Sequence, residues 1–100
     1  MAREYSIGVL SEAASILDEL CCLARPLTLA HLSKSLQINK NRAFRILRTL
    51  EKERLVVREG EGYSPGPKLG EWWAQYRLYL NRKRDRIERQ LRDTDVNGVG

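Results

Sequence analysis

The sequence predicts a mainly α fold with a small β-hairpin: a winged helix-turn-helix followed by a long C-terminal helix. Three observations predict it. Between Pro26 and Leu50 lie two stretches of helical periodicity separated by a turn of three to four residues. Directly after them, two β-prone runs flank a glycine-containing turn, the pattern of a hairpin. From Pro67 to about Arg92 the chain returns to a helical repeat whose apolar residues are spaced by fours and threes.

The first helix is expected from about Ser6 to Ala24. Leu10, Ala13, Leu17, Leu20, Cys21 and Ala24 recur at helical spacing. Ser6 suits an N-cap, and Arg25-Pro26 ends the helix because a proline disfavours the α conformation in the residue before it. Cys21 is expected in the core and Cys22 at its margin. Adjacent cysteines fit neither metal-ligand spacing nor a usual disulfide.

Thr28 can cap the second helix, Leu29 to Leu36, with Leu29, Leu32 and Leu36 facing inward. His31 is the sole histidine. With no second histidine, no spaced cysteine pair and no nucleophile beside it, a surface position is expected rather than a role as ligand or base. Gln37 and Ile38 make the turn, Ile38 reaching into the core.

Asn39 is a strong N-cap for the third helix, Lys40 to about Glu53. Ala43, Ile46, Leu47 and Leu50 form its buried stripe at i, i+3, i+4 and i+7. Ala43 is small, which suits a close crossing with the second helix. The outward face carries Asn41, Arg42, Arg45, Arg48 and Lys52, with Lys40 at the tip and Phe44 at the boundary.

Leu55 to Arg58 and Tyr63 to Pro65 are the two runs of the hairpin, joined through Glu59-Gly60-Glu61-Gly62. Glu59 and Glu61 make its tip acidic. Pro67 suits the first position of the last helix. There Leu69, Trp73, Tyr76, Leu80, Lys83, Ile87 and Gln90 make a heptad seam with two polar interruptions. Trp72 and Trp73 are expected as packing anchors. Residues 1–66 are therefore expected to be the winged helix-turn-helix, 67–92 a dimerising helix and 93–100 a flexible tail.

The chain carries a formal charge of +5, and its distribution is more telling than its total. Up to Leu36 there is a slight acidic excess, so all the net positive charge lies beyond it, in the third helix, the segment after it and the C-terminal helix. A basic excess confined to particular elements is the electrostatic footprint of nucleic-acid contact. The basic run from Arg82 to Arg92 either flanks DNA or keeps an exposed helix soluble. No apolar run approaches the roughly 18 residues of a membrane span, and no signal peptide opens the chain. A soluble, cytoplasmic, reduced protein is expected. There is no nucleophile–base pair, glycine-rich phosphate loop or metal-ligand cluster, so neither an enzyme nor a cofactor is expected.

The run from Pro26 through Ile38-Asn39-Lys40-Asn41-Arg42-Ala43-Phe44-Arg45-Ile46-Leu47-Arg48-Thr49-Leu50-Glu51 closely resembles the N-terminal winged helix of IclR-type bacterial transcriptional regulators. The continuation from Leu55 to Leu69, through Gly62-Tyr63-Ser64-Pro65-Gly66-Pro67-Lys68, resembles that family's wing and exit. The likeness spans about Ser6 to Leu69. It implies a homodimer on a palindromic or near-palindromic operator, with Asn41, Arg42 and Arg45 facing DNA. Two departures stand out. Family members usually place a proline and then a Ser/Thr pair at the start of the recognition helix, where this chain has Asn39 and then Asn41-Arg42, so base preference does not carry over. They also normally continue into an effector-binding domain, which is absent here, so no small-molecule effector is expected within this chain. It is either a stand-alone DNA-binding protein or part of a longer one, and the seam from Leu69 to Ile87 favours the first.

Phosphate contacts set affinity and register, and base-edge contacts set specificity. Arginine can bond guanine O6 and N7 with both arms, and asparagine can do so with adenine N6 and N7. Asn41, Arg42 and Arg45 are the expected base readers. Thr28, Lys40, Arg48, Arg58 and Lys68 are the expected phosphate contacts, Thr28 through its helix N-terminus. Trp73, Tyr76, Leu80 and Ile87 are the expected dimer contacts. The alternative is a winged helix that recognises an acidic protein partner through the same basic helix.

Overall fold

The computed structural model describes residues 7–98, with backbone alone for 96–98. Its elements run α1 (Gly8–Cys22), α2 (Leu29–Leu36), α3 (Lys40–Lys52), β1 (Val56–Glu59), β2 (Gly62–Pro65) and α4 (Pro67–Gly98). Two compact units divide the chain, Met1–Leu69 and Gly70–Gly100. The winged helix-turn-helix expected from the sequence is present in the first.

In that unit one core joins all the elements. α1 contributes Ile16 and Leu20, α2 Leu32, the turn Ile38, and α3 Ala43, Ile46, Leu47 and Leu50. Leu27, Leu55, Val56 and Tyr63 close it from the hairpin side, and Ala13, Leu17, Leu29, Leu36 and Leu69 pack around its edge. The stripe expected of α3 is buried in full. Ala43 has no exposed surface, as a close helix crossing requires.

α1 differs from expectation at both ends and along one edge. The Ser6 cap lies outside the described residues. Ile7 stands at the N-cap without a side-chain hydrogen bond, its carbonyl accepting from Leu10 N at 3.0 Å. The helix stops at Cys22 rather than Ala24, with Leu23 already extended. The reason lies downstream. Leu27 pairs with Tyr63 in both directions, its N–H on the Tyr63 carbonyl at 3.0 Å and its carbonyl accepting from Tyr63 N at 2.8 Å. The chain needs extended residues ahead of Pro26 to reach that third-strand position. Cys21 and Cys22 are both exposed free thiols, which corrects the expected core place for Cys21. The buried row is Ala13, Ile16, Leu17 and Leu20, and Cys21 falls one residue beyond its edge. Leu10, expected in the stripe, is 64% exposed and lines an open groove with Arg42, Arg45 and Ile46 of α3. His31 is half-buried rather than open. Its Nε2 lies 3.5 Å from Glu19 Oε2 without making a hydrogen bond, and that carboxylate accepts from Ser35 Oγ at 2.8 Å.

α2 and α3 end alike. Gln37 and Arg54 adopt left-handed conformations at φ 55° and 65°. After each, an N–H reaches back five residues, Ile38 to the Ser33 carbonyl at 3.0 Å and Leu55 to the Leu50 carbonyl at 2.9 Å. This is the Schellman closure, which satisfies carbonyls that a helix end would leave unpaired.

The hairpin pairs Val56 with Pro65 and Glu59 with Gly62, so its loop is Gly60-Glu61. Gly60 has φ +63°. A positive φ at the first loop residue alone fits a type II′ turn. At the hairpin's base, Gly66 N–H bonds the Leu55 carbonyl at 2.8 Å and Lys68 N–H bonds the Arg54 carbonyl at 3.0 Å.

In the second unit, α4 continues beyond the expected end at Arg92 as far as Gly98. No proline interrupts it, and Thr94 Oγ1 donates to the Gln90 carbonyl at 2.8 Å. None of its residues from Gly70 to Asp95 is buried.

Candidate nucleic-acid interface

The second helix of a helix-turn-helix can read DNA only if its N-terminal turn is held rigidly. Here α3 is fixed from both sides. Ser33 Oγ donates to the Ile38 carbonyl at 2.6 Å, locking the turn that delivers the helix. Asn39 Oδ1 then accepts from Asn41 N at 2.9 Å and Arg42 N at 3.2 Å. Asn39 is the cap that the sequence predicts. α2 is capped equally, Thr28 Oγ1 accepting from His31 N at 3.1 Å. The Thr28 hydroxyl remains exposed at that helix start, with its proton available for a donor contact.

With Ala43, Ile46, Leu47 and Leu50 facing the core, the 3.6-residue period sends Asn41, Arg45, Arg48 and Lys52 directly outward. All four are exposed. The five outward residues expected from the sequence thus divide, because Arg42 belongs to a different row. It lies on the α1 side of α3, where its Nε forms an ion pair with Glu12 Oε1. Sequence reasoning did not single out Glu12. The signal available was angular, since Arg42 is only one residue from buried Ala43.

On its other flank α3 meets the hairpin. A cleft there is lined by Phe44, Arg48, Glu51, Lys52 and Arg58, bringing together two of the expected phosphate contacts, Arg48 and Arg58. Both are steered by aromatic faces. The Arg48 guanidinium lies 5.8 Å from the Phe44 ring centre and that of Arg58 5.1 Å from Tyr63, within cation–π range. Lys40 is exposed on the first residue of α3, and Lys68 is half-buried at the hairpin's base. At the acidic tip, Ser64 Oγ donates to Glu59 Oε1 at 2.5 Å.

Comparison with known proteins decides the family. The model of the IclR helix-turn-helix domain matches residues 9–60. The chain belongs to the IclR helix-turn-helix domain family. The matched residues run from α1 to the hairpin tip and lie within the span from about Ser6 to Leu69 over which the resemblance is expected. Among solved structures, an IclR transcriptional regulator from Alicyclobacillus acidocaldarius is similar at 33% identity with a TM-score of 0.67. The match covers 72% of this chain and 30% of that one. No curated protein matches significantly.

Outside the IclR domain, Trp73, Tyr76, Leu80 and Ile87 lie along one side of α4, between 41% and 61% exposed. Trp73 and Tyr76 have ring centres 6.3 Å apart, and Tyr76 stacks on Tyr79 at the same distance. Leu91, four residues past Ile87, extends this side and is 60% exposed. Among the described residues no group of His, Cys, Asp and Glu is arranged to hold a metal ion. No described helix is long and apolar enough to cross a membrane.

Proposed function

We propose that the chain binds double-stranded DNA sequence-specifically as a transcriptional regulator, and does so as a homodimer on a palindromic operator. The observation that carries this reading is the exposed row Asn41, Arg45, Arg48 and Lys52 on a capped and locked α3. α3 enters the major groove, where Asn41 and Arg45, nearest its N-terminus, meet base edges. Lys40, Arg48 and Arg58 neutralise phosphates beside it. Thr28 adds a hydroxyl and the exposed N-terminus of α2, and Lys68 a cation at the base of the wing.

Pairing falls to α4. Trp73, Tyr76, Leu80 and Ile87 present an apolar side, interrupted at Lys83, that a second copy of the same helix would cover. A symmetric pair then sets two half-sites a whole number of DNA turns apart, in steps of roughly 34–36 Å.

Selection of bound duplexes from a random pool tests this directly. The expected product is an inverted repeat with a fixed half-site spacing. Recovery of unrelated sequences would refute specific recognition, and a single half-site would refute the dimer.

A further inference from the structure

Among the arginines of α3, Arg42 stands apart from the outward row. Arg42 is turned roughly a quarter of the helix circumference toward α1, and its Nε donates to Glu12 Oε1. Its Nη2 lies over the first turn of α1, where a Cβ on Gly8 would come within 3.3 Å. The two side chains are 45% and 30% exposed. An exposed ion pair adds little to folding stability. Its consequence lies in what happens to the charges, because one of them is on the third residue of the helix that meets DNA.

We propose that Glu12 is a specificity-determining residue that restrains Arg42 on α1 and leaves sequence reading to Asn41 and Arg45. This rests on the DNA-binding reading above. A free arginine at that position would find a phosphate oxygen on any duplex. Each phosphate neutralised strengthens binding regardless of sequence and steepens its salt dependence. Specificity is the difference between cognate and random binding. On a cognate site Asn41 and Arg45 fix the register of α3, whereas on random DNA the helix can shift until a free Arg42 meets a phosphate. Random binding therefore gains more, and the difference narrows. Pairing with Glu12 cancels the charge of Arg42. It also places a carboxylate beside α3 that repels an approaching phosphate. Contact through the Nε edge of Arg42 then requires the ion pair to open, and contact through its Nη groups works against the Glu12 carboxylate.

The test uses the whole chain as wild type, Glu12→Gln, Arg42→Gln and the double variant. Each is titrated with a selected duplex and a random one at several salt concentrations. Glu12→Gln is expected to tighten random binding about 3- to 10-fold, with the slope of log K against log salt steeper by about one unit. The selected duplex gains less, so the ratio between the two falls. In the Arg42→Gln background most of that gain disappears. Weaker binding of Glu12→Gln to the selected duplex would overturn the proposal, since Glu12 would then be aiming Arg42 at a base. An unchanged affinity and slope, or an equal gain without Arg42, would overturn it too. A wild-type chain that binds neither duplex at low salt would overturn the DNA-binding reading itself and this inference with it.

Discussion

Ser33 and Ile38 hold each other by two hydrogen bonds of opposite sense. Ser33 Oγ donates to the Ile38 carbonyl at 2.6 Å, and Ile38 N–H donates to the Ser33 carbonyl at 3.0 Å. Between them Gln37 takes the left-handed conformation, so the turn delivering α3 depends on a serine hydroxyl and a strained glutamine. Ser33→Ala strands a partly buried carbonyl and is expected to cost about 1 kcal/mol. For a domain of this size that is roughly 4–8 °C in Tm. Gln37→Gly should act oppositely, because relief of a left-handed non-glycine residue is worth about 1 kcal/mol. Thermal unfolding of the two variants checks both signs.

Gly66 and Gly60 are glycines for different reasons, and alanine scanning separates them. A Cβ on Gly66 would stand 2.3 Å from the Arg54 carbonyl oxygen and 2.8 Å from Val56 N. Both obstacles are backbone held in the closure of the hairpin. Gly66→Ala is therefore expected at the severe end of overpacking, about 3 kcal/mol. Gly60 has open space around it, but its φ is +63°. Gly60→Ala meets only conformational strain, about 1 kcal/mol. Equal losses in urea unfolding would contradict this division.

What the sequence made legible follows from the strength of its local signals. Asn39, Thr28 and the four-residue stripe of α3 are caps and periods with one dominant reading, and each stands where expected. The left-handed residues Gln37 and Arg54 gave no such signal, since glycine usually marks that position. The early end of α1 was hidden for another reason. It is imposed by the pairing of Leu27 with Tyr63, a contact between residues 36 positions apart that no local pattern encodes. At the interface, residue types suggested five outward side chains on α3. The ion pair of Arg42 with Glu12 depends on a helix 30 residues earlier, so only the assembled domain reveals it.

Asn39 combines a folding role with a place at the proposed interface, and the two respond differently to charge. Its Oδ1 serves two N–H groups, so Asn39→Ala should lose about 0.5–2 kcal/mol of stability. Asn39→Asp keeps the acceptor and adds a negative charge that the helix N-terminus favours. It should be as stable as wild type, or more so, yet bind DNA less tightly because that charge faces phosphate. Melting curves and DNA titration of the same sample distinguish the effects. A stable Asn39→Asp with unchanged DNA affinity would place the start of α3 away from the duplex.

Arg45 and Arg48 share the outward row but differ in distance from the N-terminus of α3. Arg48 is also steered by Phe44 beside the hairpin cleft. Arg45→Ala is expected to lose about 1–3 kcal/mol on the selected site and much less on random DNA. Arg48→Ala should weaken both alike and lower the salt slope by roughly one unit. Competition titrations with matched duplexes measure the contrast. A uniform loss for Arg45→Ala would make it a phosphate contact.

Leu80 and Ile87 lie seven residues apart on the same side of α4 and are 41% and 44% exposed. Two heptad-spaced apolar side chains this open are the sites where a paired helix would bury most. Replacing both with aspartate puts like charges at the seam while leaving an exposed helix intact. The expected result is a shift from dimer to monomer in sedimentation, with helical circular dichroism reduced only slightly. Operator binding should weaken far more than binding to an isolated half-site, because only the palindrome depends on pairing. A wild-type chain that sediments as a monomer at the concentrations used for DNA binding would remove α4 from the dimer altogether.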